Sequence, residues 1–212
     1  MTVQARHGLQ LLVLSLLATT QAVRASTEHY AIDPVHTRLA LQVSHAGFSN
    51  PIATFSGITG MLSFDEADWS SAKVDVAIPV KTLQLGDDDW NRKILDHTFL
   101  DAEKFPDARF VSTRVVMQES GKLRIEGQLT LHGRTAPVRL EATVNAIKRH
   151  PLTLRRTAGF SATGTLSRKA FGIDTWPSLV GDDVRLVIEV EATRQRKQEA
   201  KGDEEDADPQ HD

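Results

Sequence analysis

The clearest pattern in the chain is an alternation of apolar and polar residues across residues 122–146. In residues 123–131 an apolar side chain or glycine stands at every odd position, and in residues 138–146 one stands at every even position. A period of two sends successive side chains to opposite faces, so both runs are predicted to be β-strands with one apolar face. The short connection between them contains Gly133, which predicts a hairpin.

The same alternation recurs in six other runs, which cover residues 38–45, 58–64, 73–80, 110–118, 158–168 and 184–193. Together with the hairpin they make eight predicted strands. Most of the connections are short, which favours an antiparallel meander over crossovers through helices.

One segment, residues 86–106, breaks the alternation between the third and fourth strands. Its apolar residues are spaced by three and four positions, which predicts one or two short helices. The second of these would be capped by Thr98 and would end at Pro106. Two roles stay open for this excursion: a lid over one mouth of a barrel, or a cover for an exposed strand edge.

Eight antiparallel strands with one apolar face each are predicted to close into a barrel or to fold into a two-sheet sandwich. Small residues on the inward parity favour the barrel, and these are Gly60, Gly127, Ala142, Ala146, Ala162 and Gly164. They would either leave an apolar space for a ligand or be covered by large residues opposite, such as Phe64, Phe110 and Phe160.

The two ends of the chain differ from its body. Arg6 and a short apolar run precede small residues that predict a signal peptide at 1–25, cleaved before Ser26. Residues 194–212 are charged and almost without apolar side chains, which predicts a disordered tail. The body, residues 26–193, is predicted to be one domain. A net charge of -3 does not favour nucleic acid, and the absence of cysteine excludes disulfides and thiolate chemistry.

The order of several short motifs resembles the YceI-like family of exported, lipocalin-like proteins over about residues 30–193. The motifs are YAIDPVHT at 30–37, VSHAG at 43–47, FSGITG at 55–60, FD at 64–65, FLD at 99–101, KFPDARFVS at 104–112, GQLTLHGRTAPV at 127–138, RKAFGI at 168–173 and GDDV at 181–184. The chain departs from the family pattern at Ala53, where a glycine is usual, and at Ile58, where a phenylalanine is usual.

This resemblance implies an elongated, eight-stranded antiparallel barrel that holds a long-chain apolar lipid, of the polyisoprenoid or prenyl quinone type. Together with the inward parity of the strands, it predicts that the ligand is contacted by Leu39, Leu41, Val43, His45, Phe64, Val76, Ile78, Phe110, Leu123, Ile125, Gly127, Leu129, Leu140, Phe160, Ala162, Leu166, Arg168 and Ile188. No cofactor other than this lipid is expected.

Two polar residues in this set have competing interpretations. His45 ends the first strand on the inward parity, where it is either a hydrogen-bonded structural residue or a contact for a ligand head group. Arg168 either holds a phosphate or phenol oxygen or forms a surface ion pair with Asp174 or the Asp182 and Asp183 turn. No HExxH or GxSxG motif is present, so neither a metal site nor a serine nucleophile is predicted.

These observations favour a noncatalytic protein that binds, stores or transports lipid in the periplasm, without a stable membrane span after cleavage. A quinone-linked or metal-dependent enzyme of the cell envelope is the alternative, and it would need convergent polar residues in the pocket. The sequence leaves the oligomeric state open: a homodimer and a transient membrane contact are both compatible with it.

Overall fold

The computed structural model describes residues 26–196, in which ten β-strand segments surround an apolar interior. The segments are β1 Glu28–Ile32, β2 Arg38–His45, β3 Ile52–Phe55, β4 Thr59–Asp65, β5 Asp68–Pro79, β6 Asp107–Met117, β7 Lys122–Leu131, β8 Arg134–Arg149, β9 Arg156–Ser167 and β10 Val180–Arg194. The α-helix α1 covers Asp88–Leu95, and short 3-10 turns cover Val80–Thr82, Glu119–Gly121 and Lys169–Phe171.

The ten segments make an eight-stranded closed barrel, because two of its strands are interrupted. β10 pairs first with β2 and then with β1, which follow one another along its edge. In the same way β3 pairs with β2 and β4 pairs with β1. All pairings are antiparallel, and the β1 to β10 pairing closes the ring. The predicted barrel is therefore confirmed, and the sandwich is wrong.

Two strand segments were missed by the sequence pattern. β1 and β3 are only 5 and 4 residues long, too short for the alternation to stand out. Tyr30 of β1 lies opposite Arg194, far away in the chain, whereas Phe55 of β3 lies opposite Leu39 of the preceding strand. Local periodicity cannot report such long-range pairing.

The predicted helical excursion is confirmed with one α-helix, and the optional second helix after Thr98 does not form. The side chain of Asp87 caps α1 by accepting a hydrogen bond from the Trp90 amide at 2.8 Å. After α1 the chain forms reverse turns, in which the Asp96 carbonyl accepts from the amides of Phe99 and Asp101. Asp101 has a positive φ of 47°, which a continuing right-handed helix does not allow.

The core extends along the barrel in two adjoining clusters of buried apolar side chains. Two of the inward glycines do not widen this interior. A Cβ atom on Gly127 would lie 2.4 Å from the ring of Phe110, and one on Gly164 would lie 2.7 Å from Leu140. At these two positions large neighbouring side chains cover the glycines, as one of the two interpretations predicted. Glycine is needed there because it lets the neighbouring side chain approach the backbone closely.

The predicted signal peptide lies outside the described residues, as does the predicted tail beyond residue 196. β10 continues to Arg194, one residue past the predicted end of the body. Within the described range, none of the helices is both long and apolar enough to cross a membrane.

Candidate functional site

The larger internal space, here called cavity one, has a volume of about 230 Å³ and lies at the end of the barrel that carries α1. Its wall is built mainly from aliphatic side chains of the inward strand faces, together with residues of β3, α1 and the turns after α1. The lining includes Leu41, Val43, His45, Ala53, Phe55, Leu83, Trp90, Ile94, Phe99, Leu100, Leu129, Leu166, Arg168, Val184 and Leu186. Because His45 and Trp90 are exposed as well as part of the lining, cavity one reaches the surface beside them.

The smaller space, cavity two, has a volume of about 130 Å³ and lies toward the opposite end of the barrel. Aromatic rings form one side of it: Phe64 stacks on Trp69 with ring centroids 4.9 Å apart, and Phe160 meets Phe64 edge to face at 6.0 Å. The remaining lining is mainly aliphatic and includes Val76, Leu123, Ile125, Ala142, Ala162 and Val190, with Thr37, Ser63 and Lys73 as its polar members. Both cavities far exceed the roughly 10–15 Å³ that one water needs, and their apolar walls offer water few partners.

A waist of shared residues joins the two cavities. Five side chains line both spaces, and they are Leu39, Ile78, Phe110, Leu140 and Ile188. All five are apolar and come from β2, β5, β6, β8 and β10. The interior is therefore a series of two apolar spaces that follow one another along the barrel.

The structure places almost all of the predicted contact residues on these walls. Those that line cavity one are Leu41, Val43, His45, Leu129, Leu166 and Arg168. Those at the waist are Leu39, Ile78, Phe110, Leu140 and Ile188. Those that line cavity two are Phe64, Val76, Leu123, Ile125, Phe160 and Ala162. Gly127 lines neither space, because the ring of Phe110 covers it. Contact between these residues and a ligand stays a prediction.

Sequence reasoning missed the part of the wall that does not belong to the regular strands. Trp90, Ile94, Phe99 and Leu100 line cavity one from α1 and the turns that follow it. The helix-like distribution of apolar residues in this segment was visible, but it did not reveal which part of the barrel they face. Ala53, one of the departures from the family pattern, also lines cavity one and is buried.

His45 lies at the rim of cavity one with its ring exposed. The ring meets the indole of Trp90 edge to face, with centroids 5.9 Å apart. Within residues 26–196 the imidazole nitrogens make no hydrogen bond, which a structural role would require. A contact with a ligand head group therefore stays the prediction for His45.

Arg168 is buried, and its guanidinium holds a loop together. It donates to the carbonyls of Gly181 at 2.8 Å, Ile173 at 2.7 Å, Thr175 at 2.9 Å and Val180 at 2.8 Å. Burial lowers the pKa of this guanidinium, and nearby carboxylates oppose that effect.

The surface ion pair predicted for Arg168 is wrong, because the carboxylate of Asp182 accepts instead from Ser167 Oγ and the Lys169 amide. Four of the five donors of Arg168 point into the loop, so this side chain shapes the wall near the mouth of cavity one.

One cluster of polar groups lies away from the cavities. Ligand-type atoms of Asp33, His36 and Glu191 lie within 4.8 Å of one another. His36 Nδ1 bonds to Asp33 Oδ2 at 2.8 Å, and this bond raises the pKa of His36 and lowers that of Asp33. The Asp33 side chain also accepts a hydrogen bond from the Val35 amide, as in an Asx turn. The turn between β1 and β2 therefore explains why Asp33 and His36 lie close together.

Comparison with known proteins agrees with this architecture. The model of the YceI-like domain matches residues 30–192. A UPF0312 protein of Pseudomonas putida is 35% identical over 184 residues, which cover 86% of this chain and 93% of that protein.

Two solved structures share the fold. BcnA of Burkholderia cenocepacia has a TM-score of 0.69 at 24% identity, over 76% of this chain and 99% of that one. A polyisoprenoid binding domain from Saccharophagus degradans, implicated in plant cell wall breakdown, has a TM-score of 0.55 at 12% identity, over 78% and 98% of the two chains.

Proposed function

Since this chain belongs to the YceI-like domain family, we propose that it binds a long-chain apolar lipid inside its barrel and stores or carries it without catalysis. The ligand class is a polyisoprenoid or a prenyl quinone. A structural neighbour that is a polyisoprenoid binding domain supports this choice of class.

The observation that carries the proposal is the apolar interior, in which cavities one and two adjoin at the waist. A molecule that fills both must be long, narrow and apolar. Each buried methylene contributes about 0.8 kcal/mol, so a few prenyl units suffice for tight binding after the cost of association. A lipid tail fits this description, whereas a compact polar metabolite would leave its polar groups without partners.

The rim of cavity one supports an orientation for the ligand. His45 and Trp90 are exposed there, and the imidazole is free to donate or accept a hydrogen bond. A polar head group would lie at this rim, while the tail extends through the waist into cavity two. Selectivity would then come from tail length and from the head group.

An enzyme of the cell envelope would need polar groups that converge on a reacting atom. In the described part of the chain, the polar residues on the walls lie at different places: Arg168 bonds to loop carbonyls, Ser44 and His45 end β2, and Ser63 pairs with Lys73 between β4 and β5. Thr37, in the wall of cavity two, exchanges hydrogen bonds with the backbone of Glu191. Binding without catalysis is therefore the function that the walls support best.

The proposed location is the periplasm, which the signal-peptide pattern of residues 1–25 supports. N-terminal sequencing of protein recovered from the host cell envelope tests it, with Ser26 as the expected first residue.

The main test is native mass spectrometry of the protein purified from its own host, followed by organic extraction. A mass excess that extraction removes, and that is identified as a long-chain isoprenoid, is the expected result. A protein without bound lipid that also fails to bind added prenyl quinone would contradict the proposal.

A matched pair of variants makes this test specific for the interior. Leu41→Trp fills cavity one and is expected to weaken binding at least tenfold, since it displaces several buried methylenes. Val187→Trp places the same side chain on the exposed outer face of the barrel and should leave binding unchanged. Equal affinities for the two variants would place the ligand outside cavity one.

A further inference from the structure

The tip of the β8–β9 hairpin, residues 148–155, carries two leucines that face solvent. The side chain of Leu152 is 87% exposed and that of Leu154 is 65% exposed. Both lie at the end of the barrel opposite α1, and no residue of the tip lines either cavity. The tip is therefore a surface feature that ligand binding in the interior does not explain.

Hydrogen bonds hold the tip in one shape with the leucines turned outward. The carbonyl oxygen of His150 accepts a hydrogen bond from the Leu154 amide at 2.9 Å, and the His150 amide donates one to the Arg155 carbonyl at 2.8 Å. The Nδ1 atom of His150 also accepts the amides of Leu152 and Thr153 at 3.3 Å each. Leu154 adopts a positive φ of 57°, which is unfavourable for a leucine and is not offset here by burial of its side chain.

The leucines are flanked by cations without carboxylate partners. Lys148, Arg149 and Arg155 are exposed, and none of them forms an ion pair within the described part of the chain. The next residue, Arg156, differs, because it pairs with Glu28 at 3.3 Å and with Glu66. The sequence contains no Asp or Glu between residues 142 and 173, although the chain as a whole has a net charge of -3.

We propose that the tip of the β8–β9 hairpin docks on the surface of an anionic lipid bilayer. Leu152 and Leu154 would enter the interfacial region, while Lys148, Arg149 and Arg155 contact lipid phosphates, as in other basic and apolar membrane-binding segments. This inference goes beyond the proposed function and does not depend on it, because the docking residues and the cavity walls are different residues.

The acidic segment at residues 197–212 is a less suitable partner for the tip than a bilayer is. β10 ends beside the start of β9, where Thr193 lies opposite Thr157, so the described part of the chain ends near the tip. The carboxylates of residues 197–212 would match its cations, but the apolar side chains of that segment are only Ala200, Ala207 and Pro209, which are too small to cover two leucines well. The leucines therefore favour a bilayer over this segment.

The opposite end of the barrel also exposes apolar residues, including Phe48, which is 92% exposed. Asp87, Asp88 and Asp89 at the start of α1 and Arg92 and Lys93 in its last turn lie at that end, so its charge is mixed. This makes Phe48 a suitable control for apolar exposure beside mixed charge.

The test is co-sedimentation of the purified full chain with phosphatidylcholine vesicles, with and without phosphatidylglycerol. Binding is expected only with phosphatidylglycerol, and it should weaken as salt is raised. Lys148→Gln together with Arg155→Gln should weaken binding by about fivefold per cation removed, whereas Arg185→Gln on the outer face of β10 should not.

Leu152→Ser together with Leu154→Asn should abolish binding without destabilising the fold, because asparagine tolerates the left-handed conformation at residue 154. Phe48→Ser should bind as the parent does. Melting temperatures and prenyl quinone binding of all variants report their folding. Absence of binding, equal binding to both kinds of vesicle, or no effect of the leucine pair would overturn the proposal.

One further comparison tests whether the acidic segment or the bilayer is the partner of the tip. The full chain is compared with a form in which Glu199, Asp203, Glu204, Glu205 and Asp206 are replaced by their amides. Similar binding by both forms supports the bilayer as the occupant. Binding by the amide form alone would overturn the proposal in favour of the acidic segment.

Discussion

Tyr30, the single tyrosine of the chain, shows how much one buried residue contributes to closing the barrel. Its ring stacks on Phe64 with centroids 4.7 Å apart, and its hydroxyl donates to Glu28 at 2.6 Å. The same oxygen accepts from Arg156 Nε at 3.2 Å, which connects β1 to the start of β9. Burial raises the pKa of Tyr30 to about 12, and the bond to Glu28 adds to this effect.

The titration of Tyr30 is expected to have a midpoint near 12 in the folded protein and near the ordinary 10 in the unfolded chain. Because the pKa of Tyr30 is higher in the folded protein than in the unfolded chain, its neutral phenol contributes its full stabilisation below pH 10. This contribution is lost as the pH rises toward 12. Ultraviolet absorbance of the phenolate measures both midpoints. Tyr30→Phe removes the signal and serves as the blank, and a folded midpoint near 10 would contradict the buried geometry.

Among the elements, α1 has the closest connection to ligand access. It presents Trp90 and Ile94 to cavity one, and Trp90 is also exposed at the rim. The helix is only 8 residues long, so its stability depends on its cap and on its apolar contacts. These features favour the lid role among the two that the sequence left open.

Asp87→Ala removes the side chain that accepts the Trp90 amide, and it should destabilise α1 by about 1 kcal/mol. The expected result is faster release of a bound prenyl quinone to acceptor vesicles, while the melting temperature of the barrel changes little. Asp88→Ala, which leaves the cap in place, is the matched control. Equal release rates for the two variants would show that α1 does not limit exchange.

At the scale of the whole molecule, the interior is divided by the waist. Leu39, Phe110 and Ile188 belong to the walls of both cavities, so a long tail must pass between them. In the proposed binding mode, a short ligand would occupy cavity one alone. The barrel is therefore expected to distinguish ligands by length.

Ala162→Phe narrows cavity two beyond the waist. It should weaken binding of long prenyl quinones by about 0.8 kcal/mol per displaced methylene and leave short ones unaffected. Calorimetric titration with a series of prenyl quinones of increasing length measures this difference, and the melting temperature controls for overpacking. Unchanged binding of the long quinones would mean that the ligand does not extend past the waist.

The fold class and most of the cavity walls follow from the alternation of residues along the chain. The period of two in runs such as residues 122–131 is a local property of the extended backbone, and it specifies which side chains face inward. Because the interior of a barrel is the sum of those faces, the pattern alone predicts Leu41, Phe160 and Ile188 as wall residues, and they line the cavities. The order of the motifs then identifies the family.

The shape of the interior, in contrast, is a product of three-dimensional packing. The covering of Gly127 by Phe110, the placement of α1 over cavity one and the four carbonyls held by Arg168 all depend on how the chain folds back on itself. The same is true of the closure of the ring by β1 and β10. Alternation assigns a side chain to a face, but long-range packing determines which neighbour meets it there, and for that reason the space, the mouth and the waist were not readable from the sequence.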